Sequence, residues 1–304
     1  MYNFKKNIKL YIVELNAAGA PTNRHAVEIY DDVSASQTFD EQGFKRKNLH
    51  ALIDLHEYAV INNANVANFS FTTPILNIAT TPLILTLGGD YSSGNMTSFD
   101  IYVESDNIIY KLTKCVIEAM TFNIEKSSIL TASVSGTSSR ITKFGNVGAV
   151  TIPGTTFNVG TKSYISIDRM TTSVAGVTLD SVASVNIDIK NDISWYQNNT
   201  INDAIAGTMM YPSSYVLQGR TFSGSITQFL TSANVDTLSD TSTSAPVIIS
   251  IFSNGYSPTT PILQFNLPST VFTRRLNFEE LLNRVYDFRL NSNLTIVKPI
   301  YKGV

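Results

Sequence analysis

Apolar and polar residues alternate with period two along most of this chain. The pattern holds over Lys9–Leu15, His25–Tyr30, Asn68–Thr72, Phe99–Val103, Lys111–Ile117 and Ile129–Ser135. It returns over Ser163–Asp168, Val185–Ile189, Arg220–Phe229, Val247–Phe252, Ile262–Leu267 and Leu294–Pro299. Strict alternation over four to eight residues marks a strand with one buried and one solvated face. Branched and aromatic residues fill the apolar positions, as a pleated surface favours. The pattern predicts an all-β chain.

Helical spacing is rare. Phe278, Leu281, Leu282 and Val285 fall at i, i+3, i+4 and i+7, with Asn277 placed as a cap and Glu280 three residues on, which predicts a short helix over 278–286. Residues 44–60 read as a second short helix or a helix running into a strand. The stretch 144–162 holds Gly145, Gly148, Gly154, Gly160 and Pro153 with little charge, the signature of a linker or domain edge. It divides the chain into two near-equal halves, 1–150 and 151–304.

The halves echo each other. Val66-Ala67 leads into 68–72 as Val182-Ala183 leads into 184–188. Phe99–Val103 followed by Ile109–Glu118 resembles Ile248–Phe252 followed by Ile262–Val271, and 121–136 faces 274–292. Each half carries one long connection, Pro74–Ser98 and Asn191–Ser214, and loops of that length are usually functional or disordered. The second holds Trp195, Tyr196, Met209, Met210 and Tyr211, residue types enriched at interfaces; the alternative is that they cap their own core.

Composition narrows the function. Charged residues make up 15% of the 304-residue chain against about 25% in ordinary domains, so Ser, Thr and Asn carry the surface. The net charge is −2. Residues 1–150 hold 12 basic and 14 acidic residues, leaving 10 and 10 for the rest. Neither half is a basic platform for nucleic acid. The one cysteine, Cys115, excludes an intramolecular disulfide and reads as a buried structural thiol. The N-terminal stretch reads as a strand rather than a signal peptide, and no apolar run reaches the ~18 residues of a membrane helix.

Candidate chemistry is thin. Nucleophilic catalysis needs Ser or Cys beside a base, and the three histidines, His25, His50 and His56, are scattered. No G-x-S-x-G elbow, dinucleotide fingerprint or P-loop is present. One Cys and three His form no metal-ligand cluster. The acidic pairs Asp31-Asp32, Asp40-Glu41 and Glu279-Glu280 point in different directions on a strand and read as solvated charge. Lys45-Arg46-Lys47, close to Asp40 and Glu41, reads as a locally paired or interfacial run. The expectation is a chain without catalysis, cofactor or metal.

The segment YKLTKCVIEAMTFNIEKSSILTASVSG (110–136) resembles the tail tube proteins of tailed bacteriophages, matching their strand and hairpin patterns at Leu112–Glu118 and Phe122–Gly136. The segments 177–201, 211–231 and SQTFDEQGFKRKNLHA (36–51) are also similar to tube-protein segments. The resemblance implies small β-sandwich or barrel domains with a flanking helix. Such subunits join sheets edge to edge into rings that stack into a tube through which DNA and the tape-measure protein pass.

Two tandem tube-like domains per chain, 1–150 and 151–304, would then make a trimeric ring of pseudo-sixfold symmetry. That implies further partners in the tail sheath, baseplate and terminator proteins, assembly in the host cytoplasm and a final place in the virion tail. On this reading Trp195, Tyr196, Met209 and Tyr211 grip the adjacent ring. The Pro74–Ser98 loop does the same in the first half. Asp40, Glu41, Lys45, Arg46 and Lys47 lie at a subunit or ring boundary. The alternatives are a baseplate hub or tube-initiator ring of the same fold, and a β-rich carbohydrate-binding module using Trp195 and Tyr196 as a sugar platform.

Overall fold

The computed structural model describes residues 8–30, 33–46, 55–77, 96, 98–125, 128–156, 163–164, 167–197, 210–234, 241–253, 261, 263–278, 281–291 and 300–301. All regular structure among them is β; no helix occurs. The first strands are β1 (Lys9–Leu15), β2 (Pro21–Val27), β3 (Ser34–Ser36), β4 (Phe39–Arg46), β5 (Leu55–Ala64), β6 (Ala67–Pro74) and β7 (Leu76–Asn77). Then follow β8 (Phe99–Glu104), β9 (Ile108–Glu125), β10 (Thr131–Ser138), β11 (Arg140–Asn146), β12 (Thr155–Thr156) and β13 (Ser163–Tyr164). The last are β14 (Ile167–Val174), β15 (Val177–Leu179), β16 (Val182–Tyr196), β17 (Ser214–Phe229), β18 (Thr241–Ser253), β19 (Leu263–Asn277), β20 (Asn283–Leu290) and β21 (Ile300–Tyr301).

The long strand β9 organises the first half. Its start, residues 108–113, pairs with β8 and β11, while residues 116–123 pair with β10. Between them the chain turns a corner at Lys114, whose φ of +55° is a left-handed value that side chains rarely adopt. Asp100 holds the corner: its Oδ1 accepts from the Lys114 backbone N–H at 2.9 Å and its Oδ2 faces Lys111 Nζ at 2.7 Å. One strand thereby serves two layers. The order β2–β1–β8–β9 forms one layer and β3–β6–β10–β9 the other. Leu10, Ile12, Phe69, Phe71, Phe99 and Leu112 fill the space between, with Phe69 and Phe99 edge to face at 6.2 Å.

The second half is wound the same way around β19. Its start pairs with β18 and β21, and residues 270–277 pair with β20. β14 pairs with β15 and β18, while β17 lies between β16 and β20. The β14–β15 hairpin turns on Ala175 and Gly176, both at positive φ, as a two-residue hairpin turn demands.

The halves join edge to edge. Ala119–Glu125 of β9 pairs antiparallel with Ser184–Lys190 of β16. This makes one sheet running β3–β6–β10–β9–β16–β17–β20–β19 through both halves. The core crosses the join, with Phe122 to Phe265 at 5.7 Å. The whole 17-stranded sheet is mixed, because β12 runs parallel to β2, and it does not close into a barrel.

Two sequence expectations are corrected. The helix over 278–286 is not there: Asn283–Leu290 is strand β20, bonded to β17 and β19. Cross-strand pairing on both sides overrides the helical spacing, and Phe278, Leu281 and Leu282 lie on the surface. The region 44–60 likewise holds strands β4 and β5, paired with each other, while 47–54 lie outside the described residues. Of the two forms expected, sandwich or barrel, no closed barrel occurs, and the sheet continues across the join. The Gly-rich stretch is fastened down in part: Arg24 Nη1 donates to Ile152 O at 2.6 Å. The Leu294–Pro299 strand lies outside the described residues.

Candidate assembly interface

The far end of the β16–β17 hairpin docks on the first half. Trp195 Nε1 donates to Thr137 Oγ1 at 2.9 Å, and Thr137 Oγ1 donates to Glu118 Oε1 at 2.9 Å. The Trp195 and Tyr215 rings lie 5.2 Å apart. Lys114 Nζ donates to Ser213 O at 2.7 Å and sits over the Tyr215 ring. Tyr211 lies edge to face with Phe39 at 6.4 Å and under the Arg140 guanidinium at 5.7 Å. Asn65 Nδ2 donates to Asp40 Oδ1 at 3.0 Å.

Trp195, Tyr211 and Asp40, read from separate parts of the sequence, therefore stand near one another. Trp195 and Tyr211 are half-buried there, and Tyr196 is exposed. A concavity of about 710 Å³ opens beside them, lined by Asn65, Asn68, Glu118, Trp195, Tyr196 and Gln197. Glu41 is exposed on β4, where Lys45 and Arg46 pair by backbone with His56 and Leu55. Lys47 and Met209 lie outside the described residues, as does most of the Pro74–Ser98 loop. One described point of that loop, Met96 O, accepts from Tyr215 Oη at 3.4 Å.

A second surface escaped the reading of the sequence. The face of the joined sheet that points away from the core carries short polar side chains across both halves. Ser34 and Ser70 hydroxyls meet at 2.8 Å, and Thr72 and Ser133 at 3.3 Å. Thr121 Oγ1 donates to Asp188 Oδ1 at 2.7 Å, and Asn186 Nδ2 donates to Asn123 Oδ1 at 2.8 Å across the join. A shallow hollow of about 430 Å³ lies among Ser34, Ser70, Thr121, Ser133 and Ser135. The signal was present as the polar half of each alternating run, read there only as solvent-facing.

No catalytic constellation forms among the described residues. His25 Nε2 lies 3.1 Å from Glu14 Oε1. Cys115 is fully buried, and burial pushes its thiol well above the ordinary range, the reverse of what a nucleophile needs. No group of three metal-ligating side chains occurs among the described residues.

Among the described residues the chain is all-β, with one sheet joined across its halves and polar side chains on one face of it. The sequence model of the Bacteriophage Baseplate Tube Protein Family matches residues 25–301. The chain belongs to this family. As a baseplate tube protein it is a structural component of the phage tail, and the virion tail is its place. No curated protein sequence matches it.

Proposed function

We propose that this baseplate tube protein carries two tandem tube units and closes into a ring by repeating its own internal sheet joint. The observation that carries the reading is the correspondence between the halves. Strands β1, β2, β3, β6, β8, β9, β10 and β11 have counterparts, in the same chain order, in β14 to β21. Pairings β1–β2, β1–β8 and β8–β9 answer to β14–β15, β14–β18 and β18–β19. Pairings β9–β10, β9–β11, β6–β10 and β3–β6 answer to β19–β20, β19–β21, β17–β20 and β16–β17. All are antiparallel. Two of the sequence echoes fall on these counterparts, which supports a unit boundary near residue 150. The echo of Val66-Ala67 in Val182-Ala183 instead sets β6 against β16.

Each chain then supplies two of six units in a trimeric ring, and closure removes the sheet edges that otherwise invite uncontrolled pairing. The hydroxyl- and amide-lined face is the wall of the conduit. With few fixed cations it gives passing DNA no counterion-releasing hold. Trp195, Tyr196, Met209 and Tyr211, with Asp40, Glu41, Lys45, Arg46 and Lys47, are assigned to contacts with the next ring or subunit. The partners are further copies of the chain, the tape-measure protein and the sheath, baseplate and terminator proteins.

The family's description favours a second reading of position, a baseplate ring or tube initiator rather than the repeating tube. Light scattering on the purified protein tests both. Masses that rise through multiples of three chains support the repeating tube. A mass that stops at three chains supports the single baseplate ring, and a persistent monomer overturns ring formation.

A further inference from the structure

The β16–β17 hairpin changes character along its length. Up to Lys190, β16 is bonded to β9 on one side and β17 on the other. Beyond Lys190 it leaves β9 and, among the described residues, pairs with β17 alone. A bulge marks the change: Asp192 pairs with Gly219 and Ile193 with Leu217, so Gln218 is left over. A bulge bends the strand and interrupts the ladder at that point. Gly219 adds room there, since a Cβ on it would meet nothing closer than Asp192 Cβ at 3.9 Å.

The outer part of the hairpin adds nothing to the hydrophobic core. The core members that flank it are Ile189 and Phe222. No residue of 192–197 or 213–221 is buried, and Tyr196 and Val216 are 52% and 50% exposed. A two-stranded ribbon by itself is barely stable in water. Polar bonds to the first half hold this one. Ser139 Oγ donates to Pro212 O at 2.6 Å, Lys114 Nζ to Ser213 O at 2.7 Å and Trp195 Nε1 to Thr137 Oγ1 at 2.9 Å. Gln197 Nε2 donates to Ala64 O at 2.7 Å, and the Ala64 N–H donates to Met210 O at 2.8 Å. Segments with little buried apolar surface open ahead of the core.

We propose that 193–197 and 210–217 form a strap, hinged at the Asp192–Gly219 bulge, that opens as a unit while the sheet stays folded. Closed, it keeps Trp195 and Tyr211 on the chain's own first half. Open, it presents them to a second copy of this chain. The two uses exclude each other: an indole has one N–H, and Thr137 holds that of Trp195. Tyr211 is likewise taken up by Phe39 and Arg140. Residues 198–209, between the two arms, lie outside the described residues. What the open strap meets rests on the ring reading above.

The test compares the full-length chain with its Lys114→Gly, Ser139→Ala variant. Glycine accepts the left-handed backbone of position 114 without strain, so the corner of β9 stays while two strap bonds go. Amide hydrogen exchange, read by mass spectrometry, sets 193–197 and 213–217 against 184–189 and 223–228 of the same strands. The strap is expected to exchange faster than the sheet. In the variant its rate is expected to rise by roughly tenfold or more at an unchanged sheet rate, with the emission of Trp195, the one tryptophan, moving to longer wavelength. With the open form more populated, the protein concentration at which mass rises in light scattering is expected to fall by up to about tenfold. Strap and sheet exchanging at one rate overturn the proposal, as does a variant strap that exchanges no faster. A faster strap with assembly at an unchanged or higher concentration overturns the masking and leaves the ring reading intact. Chains that stay monomeric at every concentration remove the ring reading, and the masking falls with it.

Discussion

At the residue scale, two glycines show how tightly the joined sheet is drawn. A Cβ at Gly136 would overlap the Val116 carbonyl oxygen and lie 2.6 Å from Phe69 Cζ. A Cβ at Gly224 would overlap the Asn186 carbonyl oxygen and lie 2.6 Å from Phe288 Cζ. In each case a phenylalanine on one neighbouring strand lies directly opposite the glycine. The space is closed on the other side by backbone, which cannot swing away. Gly136→Ala and Gly224→Ala are each expected to lower the unfolding free energy by about 2 kcal/mol, in the range of overpacked cores. Urea denaturation measures this, and an unchanged midpoint in either variant contradicts the packing described. The alternating run Arg220–Phe229 places Gly224 in a strand, and Gly136 follows directly on the run Ile129–Ser135. The ring across each strand is a long-range fact that no local pattern carries.

At the scale of the element, the corner of β9 depends on a partly buried charge pair. Burial works against the charged form of Lys111, but its bond and attraction to Asp100 outweigh that and hold its pKa above the ordinary 10.5. Burial also pushes the Tyr102 hydroxyl up from 10.0. Both groups hold their proton more tightly folded than unfolded. Their contribution is therefore complete below about pH 10 and is lost as the pH rises through the raised values. Unfolding free energy is expected to fall on that alkaline limb and to stay level across neutral pH as far as these groups act. Asp100→Asn is expected to cost about 3 kcal/mol at pH 7, the size of a broken buried pair. Denaturation series at pH 7 and pH 10.5 check both values.

Most elements were legible because period two survives in them. β1 coincides with the alternating run Lys9–Leu15, and β8, β16, β17 and β18 contain theirs. β20 was not legible, since Val285 completes the helical spacing of Phe278, Leu281 and Leu282, and only β17 and β19 decide between the two. The Trp195–Tyr211 cluster was legible in part. Trp195 and Tyr211 stood out by composition, but their bonds to Thr137 and contacts with Phe39 and Arg140 cross from one half to the other. Nothing in the local sequence specifies those partners.

At the scale of the whole molecule, one architectural rule accounts for the chain. A two-layer unit is wound around a long bent strand, and the next unit adds its sheet strand to the open edge of that strand. The rule is used once inside the chain, at β9–β16. Among the described residues β3 pairs only with β6. A family described by a baseplate tube is consistent with that rule continuing between chains. On the proposed reading, the 15% charged fraction of the chain suits a conduit wall.

Electron microscopy of the purified protein, viewed end-on and averaged without imposed symmetry, tests this account most directly. The account predicts a hollow ring with six similar lobes built from three chains, its inner wall a continuous sheet. A ring with one lobe per chain, or a closed particle without a central channel, contradicts it.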